Sequence, residues 1–152
     1  MTRVLVVDDE APIRLICRVN LEVEGMEVLE AADGAAGLEL AREELPDVVL
    51  LDLMLPRLDG WQVAEGLLAD ERTRDIPIVV LTGRVEVRDY ARRLAIGGFG
   101  CVTKPFDPRE LAPFLLRLVL EADRGARDER RGEKLAELRA LVESTYPGGP
   151  AR

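Results

Sequence analysis

Three aspartates, a threonine and a lysine stand in this sequence where their chemistry could converge: Asp8 and Asp9 in "VLVVDDE", Asp52 in "DVVLLDLMLPRLDG", Thr82 in "VVLTG" and Lys104 in "VTKPF". Each closes or follows a short run rich in Val, Leu or Ile, so each is expected at a strand end. Three carboxylates brought together repel one another. Their natural occupant is a hard cation such as Mg2+, which takes a few carboxylates, keeps several waters and accepts phosphate oxygen as a further ligand. An aspartate can also attack phosphorus and form an acyl phosphate. A transferring phosphoryl group spreads its charge over its outer oxygens, where a metal, an ammonium and a hydroxyl stabilise it. Asp52 is the most telling of the five, because it interrupts an apolar run that reads as buried, and a buried carboxylate is seldom kept without a partner.

For these residues to meet, the strands that carry them must point the same way. Apolar runs alternate with segments of helical period across residues 3–121. The strand candidates are "RVLVVDD", "MEVLEAAD", "DVVLLDL", "IPIVVLT" and "FGCVT". A first helix is predicted over 11–24, with Pro12 in its first turn and a mostly apolar stripe of Ile13, Ile16, Cys17, Asn20 and Leu21. Further helices are predicted over 34–44, ending before Pro46, over 61–71 after the turn-forming "PRLDG", and over 86–96. The last, over 107–122, has Asp107 as N-cap, Pro108 at the first helical position and Glu110 at capping-box spacing. Its inward face is Leu111, Phe114, Leu115, Leu118 and Val119, and Pro113 lies near enough to the start to be tolerated. Such alternation implies a doubly wound α/β fold, a parallel sheet with helices on both faces, and burial on both faces accounts for the continuously apolar strands. All strands then end at one edge, where open α/β sheets place their ligands.

At 152 residues, 47% hydrophobic and 33% charged, the chain suits one soluble domain with an appendage. No apolar run reaches membrane-spanning length and the first ten residues do not read as a secretory signal, so a cytoplasmic protein without membrane contact is expected. There is no histidine, which excludes Ser-His and Cys-His catalysis within the chain and removes the commonest zinc ligand. Cys17 and Cys101 lack metal-ligand spacing and read as reduced packing residues. The net charge is −8, with the acidic excess ahead of residue 122, so direct nucleic-acid binding is not expected. The domain is therefore placed at 1–121. Residues 122–152 read as a charged tether marked by Gly125 and Gly132, followed by a short amphipathic helix carrying Leu135, Leu138, Leu141 and Val142. That helix could pack on the domain, pair in a homodimer, lead to an output domain or dock a partner.

The four segments, in this order and at these spacings, resemble the receiver domain of two-component response regulators across roughly residues 2–121. The resemblance implies a five-stranded sheet of flavodoxin-like order 2-1-3-4-5 with a C-terminal helical extension. It implies that Asp52 is the phosphoacceptor and that Asp8, Asp9, Asp52 and the backbone carbonyl of Met54 hold Mg2+, with Mn2+ as an alternative. Thr82 and Lys104 would contact the phosphoryl group, the Lys104–Pro105 bond would be cis, and the donor would be a histidine kinase or histidine phosphotransfer protein. Output would pass through contacts with a protein the sequence does not identify.

Two departures bear on mechanism. Receiver domains usually carry an aromatic switch residue three places before the lysine, and here that place is Cys101. Phe99, two residues earlier, should share its face of the strand. Two positions that tune phosphoryl lifetime in the family are here Met54 and Arg84, neither suited to orient an attacking water, which implies slow self-dephosphorylation. Two other functions compete with a phosphorylated receiver: an interaction module independent of phosphorylation, which Cys101 favours, and an aspartyl-nucleophile phosphohydrolase, which Met54 disfavours by standing where a second carboxylate is needed.

Overall fold

The computed structural model describes residues 1–123 and 130–145. In chain order its elements are β1 (Arg3–Val7), α1 (Ala11–Val23), β2 (Glu27–Ala31), α2 (Gly34–Glu44), β3 (Val48–Asp52), α3 (Gly60–Ala69), β4 (Ile78–Thr82), α4 (Val85–Leu94), β5 (Phe99–Thr103), α5 (Pro108–Asp123) and α6 (Arg131–Thr145). The strands form one parallel sheet in the order β2-β1-β3-β4-β5, the order the resemblance implies. Side-chain alternation divides the core in two. Leu5, Val7, Val49, Leu51, Ile78 and Val80 belong to the cluster that includes α3, α4 and α6 residues. Val4, Val6, Val48, Leu50, Val79 and Leu81 belong to the cluster built with α1 and α5. Each of these twelve side chains has no solvent exposure, the reason the strands lack a polar alternation.

Helix ends follow local chemistry. Asp33 caps α2 through the Ala36 N–H at 2.8 Å, and α2 stops at Leu45, whose φ of 47° is left-handed, just before Pro46. Asp59 and Gln62 form a reciprocal capping box on α3, each backbone N–H donating 2.9 Å to the other's side chain. In the sequence, "PRLDG" disguised that box as a turn. Asp107 caps α5 as expected: its Oδ1 accepts from the Arg109 backbone N–H, the second of the helix, at 3.0 Å, and the Arg109 guanidinium bonds both carboxylate oxygens. α4 begins one residue earlier and ends two earlier than expected, at Ala95 with φ 50°.

The buried stripe of α1 is narrower than its pattern. Cys17 and Leu21 are fully buried, but Ile16 is 40% exposed beside exposed Leu15, Val19 and Val23, because the helix presents only one edge to the sheet and to α5. α5 buries Leu111, Leu115 and Leu118 and partly buries Phe114 and Val119, as its spacing predicts, and continues to Asp123. The two cysteines are free thiols, one in each cluster.

α6 starts four residues before the expected Leu135. It lies on α4 and α3 and buries Leu135, Leu138 and Val142 in the same cluster as Phe99 and Ile96. Its first residue, Arg131, is 4% exposed and donates to the carbonyls of Arg74 at 2.9 Å and Ile76 at 2.8 Å. The expected tether falls partly on residues 124–129, and "PGGPAR" on 147–152, all outside the described residues.

Candidate functional site

The carboxyl edge of the sheet brings Asp8, Asp52 and Lys104 together. Asp8 follows β1 and is wholly buried, and Asp52 is the last residue of β3 and 2% exposed. Lys104 follows β5, its position set by a backbone N–H donated to the Thr82 carbonyl at 2.7 Å and by a cis Lys104–Pro105 bond. Its ammonium lies 3.0 Å from Asp8 Oδ2 and 3.3 Å from Asp52 Oδ2. One cation thus stands between two buried anions, which is what permits both to be there.

The other carboxylate oxygens are committed to the backbone. Asp8 Oδ1 accepts from the Glu10 N–H at 2.8 Å and Asp52 Oδ1 from the Met54 N–H at 2.9 Å, while Arg14 fixes the Asp8 carbonyl at 2.7 Å. Burial pushes the Asp52 carboxyl above the usual carboxylate range; the Met54 hydrogen bond and Lys104 work against that shift and the Asp8 charge adds to it. Burial works against the Lys104 ammonium, but the Asp8 hydrogen bond and the charges of Asp52 and Asp8 outweigh it and raise its pKa.

The donor set fits a hard divalent cation. Carboxylate oxygens of Asp8, Asp9 and Glu10 lie within 4.8 Å of one another, with Asp9 and Glu10 exposed at the mouth, an all-oxygen set of the kind Mg2+ prefers. Glu10 belongs to this cluster although sequence reasoning passed over it. Its neighbour Asp9 completed the motif, and only the turn into α1 brings the third carboxylate round. Asp52 stands across the Lys104 ammonium from Asp8.

Gly60 is a second residue the sequence reading missed. Its N–H donates to the Leu53 carbonyl, and a Cβ there would collide with the Asp52 carbonyl and the Leu53 Cα. The loop carrying Met54 can close against α3 only over a glycine. The signal was present as the glycine next to the α3 cap.

Thr82 ends β4, 1% exposed, and its Oγ1 accepts from the Arg84 N–H at 3.1 Å. Arg84 is the N-cap residue of α4 and its own side chain makes no capping bond, so the Thr82 hydroxyl, which holds the N–H of the N-cap residue itself, is the side-chain acceptor seen at this helix start. Phe99 and Cys101 pack toward the same cluster, as alternation predicts, but Phe99 pairs with Ile78 and Cys101 with Val80, whereas Thr82 pairs with Thr103. Phe99 is therefore four residues down the strand from the level of Thr82. A groove of about 300 Å3 opens over β5 between α4 and α5, lined by Arg88, Arg92, Cys101, Phe106, Glu110 and Phe114 and reaching Thr103 and Pro105 on either side of Lys104.

Comparison with known proteins gives a consistent result. The family model of the response regulator receiver domain matches residues 4–115. The DNA-binding dual master transcriptional regulator RpaA of Synechocystis is 40% identical over 124 residues, 82% of this chain and 52% of that protein. The phosphate regulon transcriptional regulatory protein PhoB of Escherichia coli is 46% identical over 110 residues, 72% of this chain and 48% of that one. The chain spans about half the length of the curated relatives it matches. Among solved structures, the chemotaxis response regulator CheY4 of Vibrio cholerae superposes with a TM-score of 0.70 at 31% identity, over 78% of this chain and 98% of that one. A CheY-like receiver domain protein from Methanospirillum hungatei gives 0.71 at 26% identity, over 82% and 98%.

Proposed function

We propose, from the premise that this chain belongs to the response regulator receiver domain family of two-component signal transduction, that Asp52 accepts a phosphoryl group from a phosphohistidine of a partner kinase or phosphotransfer protein. The single observation that carries this reading is the Lys104 ammonium held between Asp8 and Asp52 in a buried site. In the transfer, an Asp52 carboxylate oxygen bonds to phosphorus while the bond from phosphorus to the imidazole nitrogen breaks, and the imidazole, already protonated on its other ring nitrogen, leaves as the neutral ring. Lys104 is already oriented by the two carboxylates and can pass to the phosphoryl oxygens without crossing solvent. Thr82 donates its hydroxyl to the same oxygens. Asp8, Asp9, Asp52 and the Met54 carbonyl would hold Mg2+, with Glu10 near enough to reach it through water. The metal would neutralise phosphoryl charge that these carboxylates otherwise repel.

The chain supplies an acceptor and a signalling surface; receiver domains are signalling domains, and the catalytic histidine comes from elsewhere. Met54 and Arg84 offer no carboxylate or amide to orient an attacking water, which supports a long-lived acyl phosphate. Among the described residues no helix is long and apolar enough to cross a membrane.

Output is read from the relatives. The expectation of no direct nucleic-acid contact is not carried forward, because the curated relatives are transcriptional regulators, one of them DNA-binding, and this chain matches about half of each. DNA control through a further domain is therefore the second reading, beside signalling by protein contacts or a homodimer.

The test is intact mass after incubation with Mg2+ and acetyl phosphate. One phosphoryl adduct is expected, absent from Asp52→Asn and from a magnesium-free control. After donor removal it should decay over minutes or longer. No adduct on a folded chain would favour an interaction module that works without phosphorylation.

A further inference from the structure

α4 is held from two directions. At its N-terminus the Thr82 hydroxyl accepts from the backbone N–H of the N-cap residue, Arg84, whose own side chain makes no capping bond. Along its flank and at its C-terminus it is held by α6. The Tyr90 and Thr145 hydroxyls meet at 3.2 Å, Lys134 donates to the Ala95 carbonyl at the end of α4 at 3.2 Å, and Leu135, Leu138 and Val142 fill the cluster that includes Val87 and Ile96.

α6 also grips α3, the helix that abuts the acceptor loop. Arg139 lies 2.7 Å from Glu65 and 3.9 Å from the capping carboxylate of Asp59, one residue before the Gly60 contact with Asp52 and Leu53. Its register is set at the other end by Arg131, fixed to the amino edge of the sheet. α6 therefore bridges the two helices whose N-termini border the acidic edge, and it contributes no lining to the groove over β5.

We propose that α6 is a latch on α4 and α3 whose docking opposes phosphorylation of Asp52. The proposal rests on Asp52 being the acceptor. A Thr82 hydroxyl that turns to a phosphoryl oxygen releases Arg84 N–H, and α4 loses the side-chain acceptor that ties its N-cap residue to β4. An α4 that shifts or frays there no longer presents Tyr90 and Ala95 where α6 needs them. Docked α6 favours the arrangement in which Thr82 stays on Arg84. Because coupling is reciprocal, whatever loosens α6 must favour the phosphorylated state by the same factor. Release would uncover Leu135, Leu138 and Val142, an apolar helix face suited to a partner helix.

The test uses the full chain with Mg2+, with and without acetyl phosphate, following amide hydrogen exchange and adduct occupancy in the same samples. With the phosphoryl group on Asp52, amides of α6 and of the first turns of α4 should exchange about fivefold faster or more, while α1 and α5 stay unchanged. Equal protection of α6 in both forms overturns the latch. In the reverse arm, the double substitution Arg139→Ala with Thr145→Val removes the Arg139 contacts with α3 and the Thr145 contact with Tyr90, and leaves Lys134, Arg131 and the buried leucines in place. It should raise the rate of adduct formation about fivefold. Tyr90→Phe, which deletes one hydroxyl, should act in the same direction, and unchanged rates in both variants overturn the latch. An adduct with an unmoved α6 removes the latch alone, whereas no adduct on the unaltered chain removes the acceptor reading and the latch with it.

Discussion

Two cations are drawn into this protein at opposite edges of the same sheet, and they are satisfied in different ways. At the carboxyl edge Lys104, its side chain 22% exposed, bonds two carboxylates. At the amino edge Arg131, 4% exposed, donates to two backbone carbonyls and lies against Gly98, where a Cβ would stand 3.5 Å from the guanidinium. Carboxylates are exchangeable partners, because a divalent cation or a phosphoryl group changes their charge and frees the ammonium for new work. Backbone carbonyls are neither neutralised nor displaced in this way, so the two that Arg131 grips give it a fixed seat. The first arrangement suits chemistry, the second suits holding α6 in register.

The largest effect that could break this comparison is at Lys104. Lys104→Met should slow phosphoryl acceptance about a hundredfold to a thousandfold, roughly 3–4 kcal/mol of lost stabilisation, measured as the rate of adduct formation from acetyl phosphate. The same variant should bind Mg2+ more tightly, because the metal no longer competes with an ammonium for Asp8 and Asp52, and titration calorimetry checks this. Weaker metal binding would mean that the lysine organises the carboxylates as well as balancing them.

Arg131→Met should do the reverse, costing about 2–4 kcal/mol of stability in urea unfolding, since two hydrogen bonds from a charged donor are lost and the buried Ile76 carbonyl is left behind. Arg131→Lys should recover only part of this, a single ammonium being unable to reproduce the fork to Arg74 and Ile76. Acceptance by Asp52 should be as fast as in the unaltered chain or faster. If it fell as far as in Lys104→Met, the two edges would act as one machine.

The same contrast explains what could be read from the sequence. Asp8, Asp52 and Lys104 were legible because parallel strands share one edge, and because charges at the ends of apolar runs are few. Arg131 was not, since the carbonyls of Arg74 and Ile76 that it grips are groups every residue offers and no sequence marks; in "DERRGEK" it looks like one more solvated charge. The α6 leucines showed that a helix had a face to bury, without showing against what. Asp59 was read as a turn residue because Pro56 and Gly60 flank it, although Gln62 stands at capping-box spacing. Ile16 failed for a geometric reason, its place on the apolar stripe of α1 lying beyond the width that the sheet and α5 cover.

The smallest effect concerns the turn that receives Arg131. Asp70 closes α3 and frames the carbonyls of Arg74 and Ile76: its own carbonyl accepts from Thr73 and Arg74 N–H and its carboxylate accepts from the Arg72 backbone at 2.9 Å. The side-chain hydrogen bond from Arg72, helped by the Arg72 backbone and the charges of Arg72 and Arg42, holds the Asp70 carboxyl down at about 2, against 3.8 for an ordinary aspartate. A depressed carboxyl contributes stability that is present above its unfolded pKa and lost as pH falls through the folded value. The socket of Arg131 should therefore keep its frame through pH 4 and 3 and lose it only near 2. A carbon-detected NMR titration should give the Asp70 carboxyl a midpoint near 2, returning toward 3.8 in Arg72→Ala. A midpoint near 3.8 in the unaltered chain would mean that the backbone bonds alone shape the turn.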